Sequence, residues 1–460
     1  MERFTLAQAA EWTKGEARGE AALTAVTTDS RQIPPEALFL PIKGERFDAH
    51  DFIGKAIENG AAAVMSHREN EEYPVPALYV ENTSQALLDL AGGYRTMCGG
   101  KVVGVTGSVG KTTTKELLYA VLSQGFRAQK TEGNLNNEIG LPLTLMRMTR
   151  DTEVLVAEMG MNHFGELSRM TAAAKPNLAV ITNIGTSHIE FLGSREGICK
   201  AKLEILEGLQ EGGAAVLCGD EPLLWDKRES LGCKVVTYGI ENSACDLTAD
   251  LHSDGTFDIV NNGLAAAHLP VGEKFTAKLS IPGKHNVLNA LAAADVGLLL
   301  GETPELIAQG LVSYQASGMR QNIYEQDGYQ IYADCYNASP DAMEATLSVL
   351  GGMAGDGRRF AVLGSMLELG DYAEEGHRRA GRAAAQYADA LYAYGPDAAA
   401  MVAGAREKGM EHAYAFDDQT ALVAALREDA KKGDALLFKG SRGMRMERAL
   451  AMFLGEEVEA

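Results

Sequence analysis

The stretch KVVGVTGSVGKTTTKELLYAVL, residues 101–122, constrains this chain more than any other. An apolar run of strand length passes into Gly107-Ser108-Val109-Gly110, then Lys111-Thr112, and a helical pattern opens directly behind. Glycines let backbone N–H groups turn toward an anion, and a helix N-terminus favours negative charge. In such a loop the lysine reaches the terminal phosphates and the following hydroxyl holds Mg²⁺. The strict pattern G-x-x-x-x-G-K-[ST] would place a glycine where Val105 stands; here the glycine comes one residue earlier, at Gly104. An ordinary Gly-rich turn between strand and helix is the competing reading, but it does not call for the Lys-Thr pair. The expectation is a variant phosphate loop that binds Mg-ATP.

A parallel α/β arrangement follows from the same region. KVVGV, EVLVA, LAVITNI and GAAVLC are nearly continuous apolar runs, as strands buried on both faces require. Helical patterns at 112–123, 137–148 and 195–209 lie between them, and others follow at 284–300 and 304–312. The polar stretch 241–280 reads as short antiparallel strands. Before this region, LFLPI, AAAVMS and ALYV alternate with turn formers and a helix near 84–97. After it, RRFAVLG, DALYAYG, HAYAFD and DALLFKG each precede a helical segment, which predicts a second open sheet of Rossmann type. At roughly 150 residues per domain, 460 residues suggest three. The fold class is therefore α/β, with a small N-terminal α/β domain over 1–96, a central P-loop domain with a mostly parallel sheet over 97–313, and a C-terminal Rossmann-like domain over 314–460.

Charge narrows the partners. Lys and Arg number 42 against 63 for Asp and Glu, a formal charge of −21. Such a chain is a poor general binder of nucleic acid or anionic membrane, although one basic cleft for a phosphorylated small molecule remains compatible with it. The six cysteines contain no C-x-x-C pair and read as free thiols. Neither a secretory signal nor an apolar run long enough for a membrane span is visible, so a cytoplasmic location is expected.

Metal ligands are sought at the carboxyl ends of neighbouring strands, where ligands gather in such sheets. Glu158 ends EVLVA, and MGMNHFGE behind it offers Asn162 and His163. The next strand leads to TSHIE and His188. Each is compatible with a surface role; together, beside a phosphate loop, they also fit a metal site. By spacing alone Lys200 and Lys202, in CKAKLEIL, read as solvated helical lysines. Asn286 and Asn289 share a face of KHNVLNALAAAD, where helix packing and nucleotide contact explain the small neighbours equally well.

Read together, GVTGSVGKTTT, GNLNNEIG, Glu158, TSHIE, KAKLEI, HNVLNALAA, DCYNASPDAM, VLGSMLELGDYAEEGH and FKGSRGMRME resemble the Mur ligase family, in order and over nearly the whole chain. With TDSRQIPPEALFLPIKGERFDAHDFI near the start, the resemblance is to the member acting on UDP-N-acetylmuramoyl-tripeptide and D-alanyl-D-alanine. It implies an ATP-dependent amide ligase of peptidoglycan precursor synthesis, a monomer serving wall growth, cell shape and division, with ATP in the central domain and the third domain closing over it.

The same resemblance suggests residue roles. Thr106, Gly107, Ser108, Val109, Gly110, Lys111, Thr112 and Thr113 would surround the phosphates. Glu158 and His188 would join Thr112 as metal ligands, and Lys202 would be carbamylated and bind a second Mg²⁺. Lys111, Lys202 and His188 would be catalytic. Asn286 and Asn289 would contact ATP, as would Arg320, Asp334 and Asn337 from the third domain. Asn134, Asn136 and Asn137 would meet the UDP-sugar peptide, and Ser30, Arg31 and the segment Lys43 to His50, including Asp48, would form a uridine-nucleotide pocket. Cys335 and Ser339 depart from the small residues expected in DCYNASP.

Three other readings share parts of this pattern. A sister ligase that adds one amino acid would carry a DNPR-like signature, which is absent. A folylpolyglutamate synthase would share the loop. A P-loop switch would bind ATP without joining anything, and would leave the C-terminal strings unexplained.

Overall fold

A computed structural model describes residues 1–44, 47–316, 318–353, 355 and 357–456. Three main sheets succeed one another along the chain. The first has five strands in the spatial order Glu16–Arg18, Ala77–Tyr79, Ala63–Ser66, Ala37–Phe39 and Ala25–Thr27. Its three inner strands are fully buried, as their apolar composition requires.

The helix Thr83–Cys98 starts where the Asn82 side chain accepts the amides of Ser84 and Gln85. One side packs on the helix Leu6–Thr13, another on the helices Gly140–Leu145 and Glu166–Ala174 of the central region. One continuous apolar core therefore runs from Phe4 to Tyr314. The division expected after residue 96 falls in the last turn of this shared helix.

The central sheet has nine strands. Ala128–Lys130, Val154–Glu158, Lys101–Thr106, Leu178–Ile181, Ala214–Cys218, Lys234–Gly239 and Leu247–Leu251 run parallel, and Thr256–Asn261 and Lys274–Lys278 close the edge antiparallel. Lys101–Thr106 lies between Val154–Glu158 and Leu178–Ile181, so chain order reverses beside it. That switch point opens the crevice in which open α/β sheets bind ligands.

Two expectations change here. The helix anticipated over 137–148 spans only Gly140–Leu145, because the Asn137 side chain accepts the amides of Ile139 and Gly140 and holds the preceding residues as a loop. In the stretch read as antiparallel, Leu247–Leu251 instead runs parallel to Lys234–Gly239.

The third sheet orders Asn322–Gln326, Tyr329–Asp334, Ala435–Lys439, Arg359–Gly364, Ala390–Tyr394 and Ala413–Phe416. Its four anticipated strands are present, joined by a hairpin, Asn322–Gln326 with Tyr329–Asp334, that had no signal of its own. Among the described residues no helix is long and apolar enough to cross a membrane. All six cysteines are free.

Candidate active site

The carboxyl ends of the central and third sheets face each other across a cavity of about 490 Å³. Its floor is the loop after Lys101–Thr106. Gly107 (φ 151°) and Gly110 (φ 85°) adopt backbone angles that side chains disfavour. Both are also too crowded for one: a Cβ on Gly107 would lie 1.8 Å from Thr182 Oγ1, and one on Gly110 2.7 Å from Asn289 Oδ1. The amides of Ser108 and Val109 do not point into the cavity; Asn183 Oδ1 accepts both, at 3.1 and 2.9 Å. Anion binding thus falls to the start of the helix Lys111–Leu122, whose N-cap is a glycine without a capping side chain. Lys111 Nζ donates to the carbonyls of Gly107 (2.8 Å) and Ser108 (3.4 Å). Burial lowers the Lys111 pKa, opposed by Glu158, and Arg320 adds to the lowering. Ser108 Oγ and Thr106 Oγ1 are buried without a hydrogen-bond partner among the described residues.

Glu158 stands at the end of its strand, 1% exposed. Its Oε1 accepts from Thr112 Oγ1 (3.2 Å) and Asn136 Nδ2 (2.8 Å). Its Oε2 is buried without a hydrogen-bond partner among the described residues, and the Lys115 ammonium lies 3.8 Å away. A buried carboxylate oxygen lacking a donor, beside a threonine hydroxyl at a helix start, is a donor set that fits a hard divalent cation.

His188 is presented from the neighbouring strand's loop in a left-handed conformation (φ 62°) and lines the cavity. Its Nδ1 lies 2.8 Å from Glu368 Oε2 of the third domain. The same loop is held at Thr186, whose amide and hydroxyl donate to Asp341 Oδ2 at 2.9 and 3.1 Å. Asn162 lines the cavity, whereas His163 is an exposed residue paired with Glu166.

Lys202 is not the solvated lysine that spacing suggested. It is 1% exposed in the helix Arg195–Leu203, and its side-chain amine shows no hydrogen bond or ion pair with a described residue. Burial depresses its pKa well below the usual lysine value, and the Lys111 charge adds to this. It sits behind the cavity wall rather than on it. A neutral buried amine is the form that can attack carbon dioxide.

The remaining wall combines the central helix Lys284–Leu300 with the third domain. Asn289 lines it, its Oδ1 accepting from Thr114 Oγ1 at 3.1 Å. Asn286 is fully buried behind, its amide donating to Pro282 O and Gln321 Oε1, both at 2.7 Å. Arg320 lies over the Tyr336 ring, 3.9 Å from its centroid. Asp334 pairs with buried Lys439 at 2.5 Å, and Asn337 gives its carbonyl to the same ammonium. His285 lines this side, its pKa lowered by burial to about 4.

Ser108 to Thr113, Asn134, Asn136, Asn137, Glu158, His188, Asn289, Arg320, Asp334 and Asn337 thus share one cavity. Thr106, Gly107, Asn286 and Lys202 lie just behind its surface, and Ser30, Arg31, Lys43 and Asp48 are elsewhere. Arg31 is turned onto Asp29 (2.8 Å), the Ser30 carbonyl accepts from Asn59, and the backbones of Lys43 and Asp48 pair in an isolated antiparallel β-bridge. Asp48 also accepts from the His50 amide and lies 3.5 Å from Arg68. Within the segment Lys43 to His50, Glu45 and Arg46 fall outside the described residues.

Sequence reasoning gave no role to Lys115, His285, Gln321, Asp341, Glu368 or Lys439. Gln321 (φ 52°) joins the domains: beyond its bond with Asn286, its Nε2 donates to Thr113 Oγ1 at 3.4 Å. Asp341, Glu368 and Lys439 stood inside recognised strings, but nothing in a string says which residue it meets far along the chain.

Family comparison agrees with this geometry. The family model for the Mur ligase middle domain matches residues 105–297, the Mur ligase glutamate ligase domain matches 319–442, and the Mur ligase family catalytic domain matches 22–95. The UDP-N-acetylmuramoyl-tripeptide–D-alanyl-D-alanine ligase of Bacillus subtilis is 42% identical, over 92% of this chain and 91% of its own length. The Escherichia coli enzyme of the same name is 36% identical over 98% of both chains. The crystal structure of MurF from Acinetobacter baumannii superposes with a TM-score of 0.90 at 31% identity, covering 99% of this chain and 100% of its own. That of MurF from Thermotoga maritima in complex with ADP gives 0.83 at 33%, covering 94% and 97%. With its phosphate loop, strand-end carboxylate and facing third domain in the same order, the chain belongs to the Mur ligase family.

Proposed function

We propose that the chain is an ATP-dependent amide ligase that adds D-alanyl-D-alanine to UDP-N-acetylmuramoyl-tripeptide through an acyl phosphate, in the cytoplasmic synthesis of peptidoglycan precursors. The observation that carries the chemistry is the meeting, in one cavity, of an uncapped helix start, Lys111 and an orphaned Glu158 oxygen with the facing side of a second α/β domain. The names of the relatives that match over almost the whole chain support the substrate assignment.

Amide formation from a carboxylate is uphill in water, so the acid needs activation. The carboxylate oxygen attacks the γ-phosphorus of ATP, forming an acyl phosphate and releasing ADP. The amine of the dipeptide then attacks the acyl carbon. The tetrahedral intermediate expels inorganic phosphate, and the amine's surplus proton leaves with it or through solvent. Lys111 and the first amides of its helix neutralise charge on the transferring group. Arg320 adds charge from the third domain, and Asn289, Asp334 and Asn337 bound the nucleotide. Thr112, Glu158 and His188 would hold Mg²⁺, which supplies further charge neutralisation when bound. Lys202, whose charged form burial disfavours, would add to carbon dioxide with loss of a proton. The resulting carbamate turns an isolated buried amine into an anion suited to a second Mg²⁺. Closure of the third domain keeps water from the acyl phosphate.

In this reading residues 1–96 bind the UDP-sugar, with Ser30, Arg31, Lys43 and Asp48 at the uridine end. Residues 97–313 bind ATP, with Asn134, Asn136 and Asn137 toward the peptide. Residues 314–460 receive the dipeptide, and the chain acts as a monomer.

Mass spectrometry of a reaction containing UDP-N-acetylmuramoyl-tripeptide, D-alanyl-D-alanine and Mg-ATP tests the proposal. The expected result is a pentapeptide product formed in step with ADP. Steady ATP hydrolysis without the two acceptors, or ADP release with no new amide, would overturn it.

A further inference from the structure

We propose that Glu368 is a positioning residue for His188, delivered across the domain cleft so that the metal site is complete only when the third domain is closed. The inference rests on the reading of His188 as a metal ligand. The two residues belong to different sheets' loops, yet His188 Nδ1 and Glu368 Oε2 lie 2.8 Å apart. Both hold left-handed backbones, at φ 62° and 63°, a conformation that side chains other than glycine adopt at a cost. Neither loop is free to drift. Met366 and Leu367, just before Glu368, donate their amides to His377 Nε2 (2.8 Å) and Ser441 Oγ (2.9 Å). On the other side, Thr186 is fixed by Asp341, and Ser187 Oγ donates to the phosphate-loop carbonyl of Ser108 at 3.4 Å.

A histidine that binds a metal through one ring nitrogen usually gives the other N–H to a carboxylate, which sets the tautomer and raises ligand basicity. His188 Nδ1 approaches the Glu368 carboxylate to 2.8 Å as a charge contact, without the alignment of a hydrogen bond, which leaves the Nε2 lone pair for a cation, and His188 lines the cavity. The carboxylate that normally sits beside its histidine on one domain is here carried by the third domain. Opening the cleft would separate the pair and leave His188 without its orienting partner. Metal affinity and domain closure are thereby coupled, and each favours the other to the same degree.

The test is Mn²⁺ binding to the intact chain in the presence of ADP, followed by electron paramagnetic resonance, for the wild type, E368A, E368Q and E368D. The Glu368 side chain is 51% exposed, so these variants should melt as the wild type does. The expected result is a 10–100-fold weaker Mn²⁺ affinity in E368A and E368Q, recovered in part by E368D, with kcat falling more than KM for ATP changes. Unchanged Mn²⁺ affinity in E368A and E368Q, beside a wild type that binds Mn²⁺, makes the contact an ordinary surface ion pair and overturns this inference alone. A wild type that takes up no Mn²⁺ with ADP brings down the metal reading of His188 as well.

Discussion

Lys115 Nζ lies 3.8 Å from Glu158 Oε2, both groups about 1% exposed, one turn behind the lysine of the phosphate loop. The ammonium also pairs with Glu116 Oε1 at 3.0 Å and donates to the Thr131 carbonyl at 2.9 Å, while Glu116 in turn meets Lys130. A chain of alternating charges therefore runs from the surface to the strand end. Its innermost cation balances the nearly buried carboxylate of Glu158 at the cavity wall. Lys115→Met should cost about 3–5 kcal/mol of stability, because it strands the buried Glu158 carboxylate and leaves Glu116 only Lys130. Urea denaturation measures this; a loss under about 1 kcal/mol would show that the pair is not the counter-charge described.

Glu158→Gln keeps an acceptor for Thr112 and Asn136 but removes the orphaned negative oxygen. Calorimetry should show Mg-ADP binding at least tenfold weaker, with metal-free ADP binding little changed. Equal losses with and without Mg²⁺ would mean that Glu158 shapes the pocket rather than holding the ion.

Lys202→Ala should abolish ligation at every bicarbonate concentration, since no amine is left to carbamylate. In the wild type, ¹³C-labelled bicarbonate should give one slowly exchanging carbamate resonance that this variant lacks. A fully active variant would remove the role.

Asp295 is fully buried on the helix Lys284–Leu300, and neither carboxyl oxygen has a hydrogen-bond partner among the described residues. Burial raises its pKa well above the usual carboxylate value, with Asp246 adding to the rise. Between the unfolded pKa, about 3.9, and the raised folded value, the folded chain binds more protons than the unfolded one, so this group's contribution to stability falls as pH rises. Asp295→Asn should therefore raise Tm by a few degrees at pH 8, and the gain should shrink toward pH 4. A gain independent of pH would point to packing instead.

Gln321 spans the two domains through Asn286 and Thr113. Gln321→Ala should shift the nucleotide-free protein toward open forms, read as a larger radius of gyration in small-angle X-ray scattering. An unchanged profile would leave the bridge without conformational weight.

How much of this was legible depended on whether a signal was local. Lys111, Thr112 and Glu158 were found because a strand end, a glycine loop and a helix start are local patterns that fix where side chains emerge. The spacing of Lys202 pointed to solvent, since a nine-residue helix does not announce which element covers it; only packing shows the amine buried without a counter-charge. Residues 137–139 were read as the start of a helix because their apolar neighbours keep helical spacing, while the Asn137 side chain claims the amides a helix would use.

The sequence by itself determined the α/β alternation, the phosphate loop and the carboxyl-edge location of its partners, because burial on both faces of a parallel sheet demands apolar runs and leaves polar residues at strand ends. Tertiary structure decided what lies across the cavity: Asp341 on Thr186, Glu368 on His188, Gln321 on Asn286, and Lys439 on Asp334. The first three of these contacts join residues of different domains, and the last joins two strands of one sheet far apart in the chain. Each is set by how separately formed surfaces meet, which no local spacing along the chain encodes.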